Sequence, residues 1–110
     1  MQAFDLVALR QAQEDGCKLY YEFLKVDALS MGLYVLAVGS PDPQQPHTED
    51  EVYYIISGRA DILVGEDVQS VQSGTVVYVP AGIEHRFQNI SEDLTLLVFF
   101  APAEYSLAGG

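Results

Sequence analysis

Two histidines and one glutamate carry the chemistry open to this chain. His47 and Glu51 stand four positions apart and His85 follows after a long interval; these are the only histidines in 110 residues. Two imidazoles and a carboxylate make the 2-His-1-carboxylate donor set, which holds a divalent ion on three protein ligands and leaves positions open for water or substrate. Alternate side chains of an extended strand face the same way. Gln45, His47, Glu51, Tyr53 and Ile55 therefore share one parity if no bulge intervenes, and one cavity can receive them all. His85 follows a β-rich run, Val76 to Val79, closed by the turn signal Pro80-x-Gly82, so it must arrive from a different strand.

These residues sit in two glycine-bracketed segments, Gly39-x5-Gln45-x-His47-x3-Glu51-x6-Gly58 and Gly74-x5-Pro80-x-Gly82-x2-His85-x3-Asn89, separated by residues 59–73. The pair resembles the two signature motifs of the cupin superfamily. The second motif is matched at every fixed position. The first is matched except that Gln45 stands where the family carries another histidine. The resemblance implies an all-β fold, the double-stranded β-helix or jelly-roll barrel, with a metal site of His47, Glu51, His85 and Gln45. It also implies a divalent cofactor (iron, manganese, nickel or zinc), a small-molecule ligand or substrate, and a homodimer built by adding the segment Lys18 to Leu24 to a partner's sheet. Cupins include dioxygenases, isomerases, decarboxylases and binding proteins, because a fold does not determine its chemistry. The donor set favours a metal-dependent enzyme of dioxygenase type, an oxidoreductase. A non-catalytic small-molecule or metal-binding module stands beside it, and a Lewis-acid isomerase of sugar nucleotides is disfavoured by the scarcity of cations for a pyrophosphate.

The neighbouring polar residues divide by their alternatives. Gln45 is either a weak neutral ligand through its amide oxygen or a hydrogen-bond donor directed at the ligands or the substrate. Glu49 has the parity of the site but lies in the acidic run Thr48-Glu49-Asp50-Glu51, which predicts a solvated surface carboxylate. Asn89 reads as a turn residue. Tyr53, Phe87 and Tyr34 are the candidates for the walls of a substrate cavity, although aromatics in small barrels are mostly core. Arg59 and Arg86 suit surface ion pairs better than a clamp for a carboxylate substrate. Cys17 reads as an inert, partly buried thiol.

The elements that must position these residues follow from punctuation and alternation. Asp5 caps a short amphipathic helix carrying Leu6, Val7 and Leu9, which Asp15-Gly16 ends. Strands are predicted over Lys18 to Leu24, Met31 to Val38, Glu51 to Ser57, Ala60 to Val64, Val68 to Val71, Thr75 to Val79, His85 to Asn89 and Leu94 to Phe100. Ser57-Gly58-Arg59 and Gly65-Glu66-Asp67 read as hairpin turns. Many short strands at regular spacing mean a sandwich or barrel. The expected organisation is a single domain: residues 1–30 as helix and added strand, residues 31–102 as the barrel, and residues 103–110 as a tail.

Composition narrows the partners. Hydrophobic residues make up 49% of the chain, with seven Tyr and five Phe, enough for one packed core. A net charge of −11 against five Lys plus Arg repels phosphate backbones and anionic membrane surfaces, so nucleic acid and membrane are set aside. One cysteine cannot form an internal disulfide, and the opening residues carry neither a basic start nor a long apolar stretch. The expected location is the cytoplasm.

Overall fold

Asp5 starts the helix as expected: its carboxylate accepts a hydrogen bond from the Ala8 amide (3.2 Å), and α1 runs Leu6–Gly16. The computed structural model describes residues 1–43 and 46–105, so Gln45 and the last five residues of the predicted tail lie outside the described residues. Cys17 closes the helix in the left-handed conformation with its thiol exposed rather than partly buried, because the cap turns it outward. The strands are β1 (Tyr20–Val26), β2 (Leu29–Leu36), β3 (Asp50–Val64), β4 (Asp67–Gln72), β5 (Val76–Val79) and β6 (His85–Ala101). They pair antiparallel in the order β1-β2-β6-β3-β4, with β5 on the other edge of β3. Strand makes up most of the described chain, and the fold is the all-β one expected.

The hairpin expected at Ser57-Gly58-Arg59 is absent. One strand, β3, runs straight through it, and β6 likewise joins the two runs expected as separate strands. What the sequence signals at Gly58 is a bend. The register of β3 against β6 slips before it, across it and after it, between Ile55 and Ser57, between Ser57 and Arg59, and between Arg59 and Asp61. Such irregularities add twist and curl a sheet. The Gly65 turn is a true hairpin, with Val64 opposite Asp67.

The curl is what makes a site possible. Glu51 and Val64 lie thirteen residues apart on β3, and a straight strand would separate them by about 40 Å. Yet His85, which pairs with Val64, brings its imidazole to 3.0 Å from the Glu51 carboxylate. The bent β3–β6 ribbon wraps its two ends around one core of Leu36, Tyr53, Ile55, Ile62, Phe87, Leu94 and Leu96, all nearly inaccessible to solvent.

Candidate metal centre

His47, Glu51 and Tyr53 do share one inward parity. His47 stands just before β3, where its carbonyl accepts from the Gly82 amide (2.7 Å), tying the incoming loop to the turn that delivers His85. Asp50 fastens the same turn from outside, its carboxylate accepting from the Ala81 amide (2.9 Å). Glu51 opens the inward face of β3 and His85 opens β6.

The three side chains converge. One donor atom from each lies within 4.8 Å of the others, with Glu51 Oε1 3.0 Å from His85 Nε2 and 3.6 Å from His47 Nδ1. Two donors about 2.1 Å from one ion, at a right angle, sit about 3 Å apart, so the spacing suits a single ion. Glu51 is 1% exposed and His85 2%. With both imidazoles neutral, His47 Nδ1, His85 Nε2 and both Glu51 oxygens are buried and face only one another among the described residues. Orphaned polar atoms so deep cost about 1–3 kcal/mol each, more for a charge, unless something satisfies them. A divalent ion would satisfy all three side chains together.

Both imidazoles are oriented from behind. His85 Nδ1–H donates to the Ile83 carbonyl (2.8 Å), which leaves the Nε2 lone pair facing inward. His47 Nε2–H donates to the Glu104 carboxylate (3.0 Å), which leaves Nδ1 facing inward. This is the arrangement in which a metal-binding histidine gives its other proton to a carboxylate or carbonyl, fixing the tautomer and raising ligand basicity. Glu104 escaped the sequence reading. It lies beyond both motifs, in the predicted tail, and its one sequence signal is a carboxylate directly after the apolar stretch Phe99 to Ala103. Its own amide donates to the buried Ser30 hydroxyl (2.8 Å), which pins that segment across β2. Replacing Glu104 with Gln should weaken metal binding by roughly 10–100-fold while leaving one site per chain, measured by competition with a chelator.

Burial alone lowers the pKa of His85, but the Glu51 carboxylate, the Ile83 carbonyl and the Asp42 charge outweigh it and the net shift is upward. The sign has two consequences. In the metal-free protein the protonated imidazole is stabilised by the fold; that contribution is fully present below the ordinary histidine range and is lost as pH rises through the raised value. A metal must displace the same proton, so metal affinity should fall as pH drops through that raised value. Acidification should therefore strip the ion while the empty protein keeps its His85–Glu51 contribution, checked by thermal midpoints with and without zinc across pH.

Glu49 corrects the expectation of a solvated carboxylate. It is 1% exposed, because it accepts hydrogen bonds from the Thr48 hydroxyl and from the Tyr105 amide (2.7 Å). It secures the Glu104–Tyr105 segment. Tyr34 donates its hydroxyl to Asp42 (2.5 Å), whose other oxygen accepts from the Phe87 amide (2.8 Å). Tyr53 and Phe87 pack on each other at 5.0 Å between ring centres, with Tyr53 6.2 Å from the His85 ring, in the core beneath the site. Asn89 donates to Asp61 (3.0 Å), and Arg59 and Arg86 form exposed ion pairs with Glu92 and Glu84 (each 3.2 Å).

A cavity of about 260 Å³ opens on the cluster. Tyr20, Tyr34, Phe100 and Tyr105 give it an aromatic lining, with Leu19, Pro43 and Val98; His47, Glu51 and Glu104 supply its polar wall. No lysine or arginine is among the described lining residues. No helix among the described residues is long and apolar enough to cross a membrane.

Comparison with known proteins agrees with this geometry. An uncharacterised protein of Streptomyces coelicolor is 50% identical over 106 residues, spanning 94% of this chain and 99% of its own length. Among solved structures, one from Thermus thermophilus superimposes with a TM-score of 0.78 at 27% identity, covering 94% of this chain and 99% of that one. An RmlC-like cupin of Methanocaldococcus jannaschii, described as a double-stranded β-helix, superimposes with a TM-score of 0.70 at 23% identity over 77% of this chain and 80% of its own. The Cupin domain family profile matches residues 32–100. With both ends of a curled β-ribbon meeting at a buried His-Glu-His cluster, this chain belongs to the cupin family.

Proposed function

We propose that this cupin is a metal-dependent enzyme of oxygenase type acting on a small organic molecule, with His47, Glu51 and His85 as the ligands. The observation that carries the reading is the convergence, at a cavity, of buried donor atoms from all three side chains that face only one another among the described residues. A bound Fe(II) would supply open positions for dioxygen and substrate, whereas manganese, nickel or zinc would supply Lewis acidity. The protein's part is positional. Glu104 and the Ile83 carbonyl hold the two imidazoles in the tautomers that present lone pairs inward. Glu51 contributes the one anionic donor, and the buried Val98 and Phe100 exclude water from the reacting end.

The commitments of the carboxylates favour oxygen chemistry over isomerisation. Glu51 belongs to the cluster and Glu104 accepts a hydrogen bond from His47 Nε2–H, so neither is free to shuttle protons on a substrate. The absence of lysine and arginine from the described lining disfavours sugar nucleotides. The same lack of a free base supports a second reading, a module that binds its ligand unchanged. Reconstitution under nitrogen with Fe(II), Mn(II), Ni(II) or Zn(II), followed by elemental analysis and oxygen-electrode assays against small enediols, diketones and catechols, separates them. Substrate-dependent oxygen uptake with Fe(II) alone is expected. Ligand affinity that is equal in air and nitrogen, with no uptake for any metal, would replace the enzyme with the binding module. Full metal content in His85→Ala would overturn the ligand assignment.

A further inference from the structure

Beyond the end of β6 the chain turns back to the His-Glu-His cluster. The Ala103 amide reaches the Asp27 carbonyl only at 3.5 Å, and the firmer attachments of residues 103–105 are to side chains. The Glu104 amide donates to the Ser30 hydroxyl (2.8 Å), the Glu104 carboxylate accepts from His47 Nε2–H (3.0 Å), and the Tyr105 amide donates to the Glu49 carboxylate (2.7 Å). Two of these anchors, His47 and Glu49, lie in the stretch 47–51 that carries two of the proposed ligands. Tyr105 has φ +63, a left-handed conformation that a residue other than glycine keeps only where its surroundings hold it. The almost wholly buried Glu49 carboxylate holds it here. The Tyr105 ring lies 5.7 Å from the His47 ring, and Glu104 and Tyr105 both line the cavity, so residues 103–105 form one of its walls.

We propose that residues 103–105 are a latch coupled to metal binding: the segment closes on the cavity when His47, Glu51 and His85 are loaded and loosens when they are empty. This rests on the metal reading of the site and deepens it by naming a segment that regulates it. The coupling runs through the single proton of a neutral imidazole. His47 can give Nδ1 to an ion only by keeping its proton on Nε2, the atom that faces Glu104. Unloaded, His47 is free to carry the proton on Nδ1 instead, toward Glu51 Oε1 (3.6 Å), and Nε2 then has nothing to donate to Glu104. Loading also makes Nε2–H a stronger donor, and a carboxylate is the acceptor that gains most from it. Glu49 carries the second half of the coupling: it stands two positions from Glu51, so the anchor of Tyr105 and a ligand share one short stretch of backbone. Linkage is reciprocal, so whatever factor loading adds to closure, closure adds to metal affinity.

Hydrogen exchange followed by NMR at neutral pH on the full chain, with and without zinc, tests this at the Glu104 and Tyr105 amides. Zinc should slow both by about tenfold or more in the wild type and leave them unchanged in His85→Asn, which keeps every anchor of the segment. A merely structural segment would exchange at one rate whether or not zinc is bound. Glu49→Ala, which removes no ligand, should weaken zinc about three- to tenfold in competition with a chelator, the worth of one hydrogen bond. Glu49→Gln, whose amide oxygen can still accept from the Tyr105 amide, should bind zinc nearly as well as the wild type. Zinc uptake without slowed exchange, unaltered zinc affinity in Glu49→Ala, or equal zinc loss in both Glu49 variants would each overturn the latch and leave the metal reading standing. No zinc uptake by the wild type, or the same slowing in His85→Asn, would overturn both.

Discussion

Glu51→Gln should leave the protein folded and without bound metal. The amide has the carboxylate's shape and fits the same inward position of β3, so the packing around Tyr53 and Phe100 is preserved. What is lost is the one anionic donor of the cluster. Removing a residue that only orients a ligand typically costs 10–100-fold in metal affinity, and removing a ligand itself should cost more. The measurement is twofold: elemental analysis after purification without chelators, and the thermal midpoint with and without added ion. A ligand that binds only the native state raises the midpoint with its concentration, so wild type should shift with zinc or manganese while Glu51→Gln should not. Retained metal and an unchanged shift in the variant would dismiss Glu51 as a ligand. His85→Asn should show the same loss by the other route, through the inward Nε2 lone pair.

The largest effect on stability should come from Gly58→Ala. Gly58 has φ +100, a conformation other residues rarely adopt, and a Cβ there would lie 2.2 Å from the Asp93 carbonyl oxygen and 2.8 Å from Leu94 Cα. Those neighbours are backbone of β6, paired to β3 on both sides, and cannot swing away as a side chain can. Backbone strain and overpacking each cost about 1–3 kcal/mol, so together a loss of about 3–5 kcal/mol is expected in urea unfolding. That is a large share of the roughly 5–15 kcal/mol that holds a domain folded. Gly74→Ala is the control: φ is +92, but a Cβ there meets nothing within 4 Å, so only the strain remains. If the two variants lose the same stability, the close passage of β3 over β6 is not what Gly58 serves. Since the bend at Gly58 brings His85 around to Glu51, surviving Gly58→Ala protein should also bind metal more weakly.

Local spacing determined a good deal of this protein by itself. The two glycine-bracketed segments, the inward parity of His47, Glu51 and Tyr53, the Asp5 cap and the Gly65 hairpin are all consequences of a two-residue strand period or of one residue's backbone preference, and both act within a few positions of chain. The cupin barrel follows from the motifs together. Tertiary structure alone decided the rest. Whether Gly58 turns the chain back or only bends it depends on β6, more than thirty residues away, lying alongside to continue the pairing. Glu49 reads as a surface acid until the Tyr105 amide reaches it from the other end of the chain. Glu104 and Tyr20, from opposite ends, reach the cavity from outside both motifs, one accepting a hydrogen bond from His47 Nε2–H and the other filling the space left at Gly32. No spacing rule can report these meetings, because burial and hydrogen-bond partners are properties of the closed barrel, settled only when distant strands pair.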